Sequence, residues 1–140
     1  MIFSLGNYNT KLREYCHNVK ENDFDTIVKV ANLLSAKVNK NDILVPIPNH
    51  QGYAVYTLAI ANEIAKNVNC KVYNCIKGVQ REKLYTAKQR NAIVDLGLYL
   101  SLPQPKTNII LLDNVIATGY TYKEAKKLFV SCDLLTIAKV

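Results

Sequence analysis

The residues best suited to chemistry in this chain stand close together. They are Asp113 and Asn114, followed by Ala117-Thr118-Gly119-Tyr120-Thr121. Residues 109–112 are Ile-Ile-Leu-Leu, a continuous apolar run expected of a parallel strand covered on both faces. Such a strand should carry Asp113 at its C-terminal end. A small-residue turn with one glycine comes next. Thr121-x-x-Glu124 is a capping box, which predicts a helix from Tyr122. Tyr122, Ala125, Leu128, Phe129 and Cys132 then recur at helical spacing. Free N–H groups of the 117–121 turn and the positive end of the helix dipole converge on one spot. That spot should attract a phosphate.

The pattern is neither a P-loop nor a dinucleotide fingerprint, because G-x-x-x-x-G-K-[ST] and G-x-G-x-x-G are both missing from the chain. The net charge of +7 is uneven. Lys71, Lys77, Arg81, Lys83, Lys88 and Arg90 face only Glu82 between Cys70 and Val94. Such a stretch is either a solvated basic face or a seat for a polyanion, a nucleic acid or a diphosphate. Cys16, Cys70, Cys75 and Cys132 contain no C-x-x-C pair, so reduced thiols in a cytoplasmic protein are expected and a zinc site is not.

The elements that must position these residues follow from periodicity. The chain of 140 residues, 49% hydrophobic and 21% charged, suits one soluble domain with a real core. No apolar run reaches membrane-spanning length, and the N-terminus lacks the features of a signal peptide. Leu12, Tyr15, Cys16 and Val19 mark a first helix over 9–20; Phe24, Ile27, Val28, Ala31 and Leu34 mark a second. Residues 42–47 read as a buried strand, 48–52 as a turn, and the next stretch to about 67 as a helix. Residues 71–76 alternate like a strand, 78–91 are polar, and 95–100 and 134–140 are further strand candidates. Helix–strand alternation after residue 42 predicts an α/β fold, a parallel twisted sheet flanked by helices with right-handed crossovers. Residues 1–40 would form a short N-terminal helical hood and 41–140 the α/β core of a single domain.

With these pieces placed, the chain resembles the phosphoribosyltransferase domain of the ComF family, bacterial proteins associated with competence for DNA uptake. Four blocks carry the likeness: Gly6-Asn7-Tyr8 with Leu12-Arg13 and Lys20; Leu44-Val45-Pro46-Ile47-Pro48; Gln80, Leu84 and Arg90-Asn91; and residues 108–121. The last block is similar to the phosphoribosyl-diphosphate signature of type I phosphoribosyltransferases, which usually has two adjacent acids where this chain has Asp113-Asn114. The Cys-rich zinc module frequent at the N-terminus of that family has no counterpart in residues 1–40.

The resemblance implies a type I phosphoribosyltransferase fold and displacement of diphosphate from 5-phosphoribosyl 1-diphosphate by an unknown acceptor. It places the 5′-phosphate on Ala117, Thr118, Gly119, Tyr120 and Thr121, and the ribose hydroxyls on Asp113 and Asn114. Asp113 would also offset positive charge at the anomeric carbon. Diphosphate would meet the loop Asn49-His50-Gln51-Gly52 and a basic catalytic loop with Arg81, Lys83, Lys88 and Arg90, of which Arg90 matches best. Mg²⁺ is the implied cofactor, held mainly by the ligand with Asp113 as the one protein carboxylate in reach. Asn114 removes one negative charge, and Ala117 cannot handle a base proton as an acid does in purine-salvage relatives. Three activities stay open: a Mg²⁺-dependent transferase, a protein that binds phosphoribosyl diphosphate or a nucleotide without turnover, and a single-stranded nucleic-acid or competence partner with Tyr73 and Tyr85 for stacking. No membrane partner is expected, and a homodimer is left open.

Overall fold

The central strand of the sheet is the apolar run that carries Asp113. The computed structural model describes residues 1–84, 87 and 95–140. Elements in chain order are β1 (Ile2–Ser4), α1 (Thr10–Lys20), α2 (Phe24–Leu34), a 3-10 turn (Ser35–Lys37), β2 (Ile43–Pro46) and α3 (Tyr56–Val68). Then follow β3 (Lys71–Val72), β4 (Ile76–Lys77), β5 (Tyr99–Leu100), β6 (Ile109–Ile116), α4 (Tyr120–Lys126) and β7 (Asp133–Lys139). The fold is α/β. Five parallel strands lie in the order β1-β7-β6-β2-β3, and β4 and β5 form a separate antiparallel pair.

Two cores cover the two faces of the sheet. Cys16, Val19, Ile27, Val30, Leu34, Ile60 and Ile64 of α1, α2 and α3 pack on Leu44, Ile110, Leu112, Leu135 and Ile137. On the other face, Ala125, Phe129, Cys132, Cys75 and Ile76 pack on Val45, Ile47, Ile109, Leu111 and Leu134. The strand residues alternate between the two sets, as the period of two requires. From β2 the chain crosses through α3 outward to β3, whereas from β6 it crosses through α4 the opposite way to β7. Crossovers of one hand that run in opposite directions put their helices on opposite faces. The C-terminal ends of β2 and β6 are thus adjacent while their loops diverge, and such a crevice is where open α/β sheets bind ligands.

Several sequence expectations are corrected here. Residues 1–40 are not a separate hood. β1 pairs with β7 at the sheet edge, and α1 and α2 share the helical layer with α3. A three-residue edge strand is too short for periodicity to reveal. β6 continues to Ile116, so Asp113 is the fifth of eight strand residues rather than the last. Residues 71–76 are not one strand: Tyr73 N–H still donates to Leu44 at 2.8 Å, but Cys75 N–H turns back to Tyr73 at 3.0 Å. Over 95–100 only Tyr99–Leu100 pairs, because Gly97 takes φ +57° and donates its N–H to Asp95. Helix α4 begins at Tyr120, with Gly119 as N-cap at φ 82°, and ends at Lys126. The Thr121–Glu124 capping box does not form, since Glu124 pairs instead with Lys127 at 3.1 Å.

The loop after β2 is locked against the segment after β4. Gly78 N–H donates to Gly52 O at 2.9 Å, and Arg81 N–H donates to His50 O at 2.8 Å. Gly52 has φ +99°, and a Cβ there would lie 2.3 Å from the Gly78 carbonyl oxygen. The site demands glycine for a backbone contact within the protein. Gly52→Ala should lower stability by about 1–3 kcal/mol through strain and a displaced loop, measured as a shifted urea midpoint. An unchanged midpoint would mean the two loops are not held together as described.

Candidate functional site

The diverging loops of β2 and β6 supply most of the candidate residues. Asp113 leaves β6 beside Thr136 of β7 and is half-buried. With the 117–122 turn, Leu84 and Leu134 it lines a cavity of about 80 Å³. That is several times the roughly 10–15 Å³ that one water needs. Among the 117–121 residues, Ala117 and Thr118 are exposed and Gly119, Tyr120 and Thr121 half-buried. Thr118 Oγ1 accepts the Tyr120 N–H at 3.3 Å, and Gly119 O accepts the Lys123 N–H at 2.9 Å. The first turn of α4 leaves the N–H groups of Gly119, Thr121 and Tyr122 without intrahelical acceptors, so the turn presents several donors to the cavity.

Strand alternation separates Asp113 from Asn114. Asn114 is only 2% exposed and points under α1, where its Nδ2 donates to Cys16 O at 3.3 Å while its Oδ1 has no partner among the described residues. It tethers the centre of the sheet to α1 and does not line the cavity. An acid at this position would set a carboxylate against a carbonyl oxygen, so the departure from a paired-acid signature has a local reason.

Charge around Asp113 is strongly positive. Burial pushes the Asp113 carboxyl up to about 6, against the Asn114 N–H at 2.8 Å, Lys20 and Arg81, which favour the ionised form. Burial lowers the Arg81 guanidinium pKa, while Asp113, Tyr56 and Tyr120 support its charge. The His50 imidazole is pushed below its ordinary value by burial and then by Lys83, Arg81 and Lys20. The Tyr56 hydroxyl is pushed up by burial and by Asp113. Arg81 Nη1 donates to Glu82 O at 3.0 Å, and Lys83 is exposed.

The structure therefore brings together Asp113, the 117–121 turn, His50, Arg81 and Lys83. The remaining loop residues have internal tasks. Asn49 Oδ1 accepts the Gln51 N–H at 2.9 Å, Gln51 is exposed, and Gly52 meets Gly78. Lys88, Arg90 and Tyr85 lie outside the described residues. Tyr73 is no open stacking platform: it packs against the core beneath the sheet and its hydroxyl donates to Pro103 O at 2.6 Å. Sequence reasoning missed Tyr56, the first residue of α3, and gave Lys20 no role. A tyrosine opening the helix after the β2 turn was the available signal for the first. Among the described residues no group of three or more His, Cys, Asp or Glu side chains could hold a metal, and the four cysteines are free thiols.

Asp113 gives a pH prediction with a definite sign. Its folded pKa of about 6 lies above the roughly 3.9 of an unfolded aspartate, so the folded state holds its proton more tightly. Ionising it then costs folding free energy: no cost below about pH 4, the full cost above about pH 6. Asp113→Asn should match the wild type in stability at pH 4 and exceed it by on the order of 2 kcal/mol at pH 7. Urea titrations at both pH values test this; equal stabilities at pH 7 would refute it. Asn114→Asp should cost about 1–3 kcal/mol at pH 7 and less in acid, where the protonated acid can again donate to Cys16 O. Thermal melts across pH check that trend. Compared with protein-family models, curated proteins and solved structures, the chain matches none.

Proposed function

We propose that this protein is a Mg²⁺-dependent phosphoribosyltransferase that uses 5-phosphoribosyl 1-diphosphate as its donor. One observation carries this reading. At the crevice between β2 and β6, a donor-rich turn and a single carboxylate line one cavity, and Arg81 acts on both the carboxylate and Tyr120 of the turn. A phosphorylated sugar, with anionic groups for the donors and cation and hydroxyls for the carboxylate, has the matching chemistry.

In this arrangement the 5′-phosphate accepts hydrogen bonds from the N–H groups of the 117–121 turn and from the Thr118 and Thr121 hydroxyls. The ribose 2′- and 3′-hydroxyls donate to Asp113. Arg81 and Lys83 neutralise the diphosphate, and His50, whose imidazole is held towards the uncharged form, donates a hydrogen bond to it. The bond from C1′ to the diphosphate oxygen breaks, diphosphate leaves with that electron pair, and the acceptor nitrogen bonds C1′ and then loses a proton to water or product. Asp113 remains mostly ionised at neutral pH and offsets the positive charge that builds on the ring. Mg²⁺ fits as a ligand-borne ion, because one carboxylate plus phosphate oxygens is its usual setting and no protein cage is present among the described residues. When bound it would screen the leaving diphosphate, and Asp113 is the cavity-lining carboxylate that would hold it.

With Asn114 in place of a second acid, Asp113 is the one carboxylate that lines the cavity, which favours a second reading: binding of the same ligand without turnover. Calorimetry with phosphoribosyl diphosphate and Mg²⁺ should show saturable binding. Thr118→Val combined with Thr121→Val should weaken it by roughly tenfold or more. Diphosphate release with a panel of bases and amines then separates transferase from sensor. No heat of binding with the wild type ends both readings.

A further inference from the structure

The start of α1 carries a second pocket that the chemistry proposed above does not use. Tyr8, Asn9, Thr10, Arg13, Glu14 and His17 line it, and its volume of about 610 Å³ is in the range of small-molecule sites. Thr10, Arg13, Glu14 and His17 stand at i, i+3, i+4 and i+7, so they share one polar face of α1, turned away from the buried Cys16 and Val19. Tyr8 supplies the wall that turns this face into a pocket, and it is held in three ways. Its N–H donates to Lys139 O at 2.7 Å, its side chain packs against the core shared by α1, α2 and α3, and its hydroxyl hydrogen-bonds His17 Nε2 at 3.3 Å. Asn9 is fixed as well: its Oδ1 accepts the Leu12 N–H at 3.2 Å and its carbonyl the Arg13 N–H at 2.7 Å. Walls ordered before a ligand arrives lower the cost of binding one.

The pocket lies at the same edge of the sheet as the Asp113 cavity. Asn7 bridges to Lys139, and Lys139 stands in register with Ile116, which lines that cavity. The Tyr8 loop is therefore two strand spacings, roughly 10 Å, along the edge from Ile116. The charges of the two places differ. Arg13 and Glu14 are exposed and form no ion pair among the described residues. One guanidinium and one carboxylate give the pocket no surplus charge, so a polyanion gains little there. The guanidinium fork suits a planar carboxylate, and the Glu14 carboxylate accepts hydrogen bonds from N–H groups.

We propose that this pocket is a second binding site, for a small molecule that carries a carboxylate beside an N–H donor. That chemistry is shared by α-amino acids and by ring compounds with an amine next to the acid. Arg13 binds the carboxylate through two N–H groups, Glu14 accepts from the N–H donor, and the Tyr8–His17 pair forms the fixed wall. The site stands whether or not phosphoribosyl diphosphate is the ligand at Asp113. The competing reading is a solvated helix face that binds nothing.

The chain has two histidines, so proton NMR of the imidazoles reads this pocket through His17 and the crevice through His50. Titration with 2-aminobenzoate or with alanine should shift the His17 signals saturably and leave those of His50 in place, and the stronger of the two probes identifies the source of the ligand. Arg13→Met should weaken binding about tenfold or more, as loss of a charge-assisted pair does, and Arg13→Lys should restore only part of it. Benzoate, which has no N–H donor, should bind several-fold more weakly than 2-aminobenzoate, and Glu14→Gln should narrow that difference. Unchanged His50 signals in the free variants show that the fold is intact. Absence of a saturable His17 shift with both probes would overturn the proposal, as would wild-type affinity in Arg13→Met or equal binding of benzoate and 2-aminobenzoate.

Discussion

The parallel pairing of β6 between β2 and β7 is the constraint on which the rest depends. Eight residues of β6 run through the middle of the sheet, and the first four are buried on both faces. Once that ladder is fixed, every side chain of the strand is assigned to one face or the other. Asp113 must then emerge on the cavity side and Asn114 beneath α1. A slip of one residue would bury the carboxylate under the helices and aim the amide at the cavity. The site is thus specified by the same register that closes the hydrophobic core.

Asp113 is costly where it stands. Burial disfavours its charge, and the compensation comes from one backbone N–H and two cations rather than from a close ion pair. Arg81 and His50 are disfavoured as cations by their own surroundings. Charges that stabilise one another only partly lower the stability of the fold around them. Stability given up at a site of this kind is the usual counterpart of function. Loop contacts order the site: the meeting of Gly52 with Gly78 and the Arg81–His50 backbone hydrogen bond hold the loop after β2 and the Arg81 segment together.

The helical layer contributes more than cover. α1 is anchored to the sheet by Cys16 and Val19 in the core and by the Asn114 amide at its edge. Leaving Asn114 Oδ1 without a partner costs some free energy, and the tether to Cys16 offsets only part of it. The gain is position: the C-terminal end of α1 is set beside the crevice instead of sliding along the sheet.

Much was legible in the residues alone. Aliphatic runs and their spacing identified β2, β6, β7 and the helices α1 to α3, because burial on one stripe or on both faces leaves a periodic trace. The turn at 117–121 and its acid were legible because glycine and small polar residues interrupt that trace. Short pieces were harder: β1 escaped, and β3, β4 and β5, of two residues each, fell on the longer strands expected over 71–76 and 95–100, whose true extent is too short for any period to define. The start of α4 was misplaced because Gly119 in a left-handed conformation, rather than Thr121, caps it. Tertiary structure alone decided that Asn114 meets the Cys16 carbonyl under α1 and that Gly52 abuts Gly78. Each of these depends on residues distant in the chain, and a local pattern carries no information about which partner strand, loop or helix will meet it.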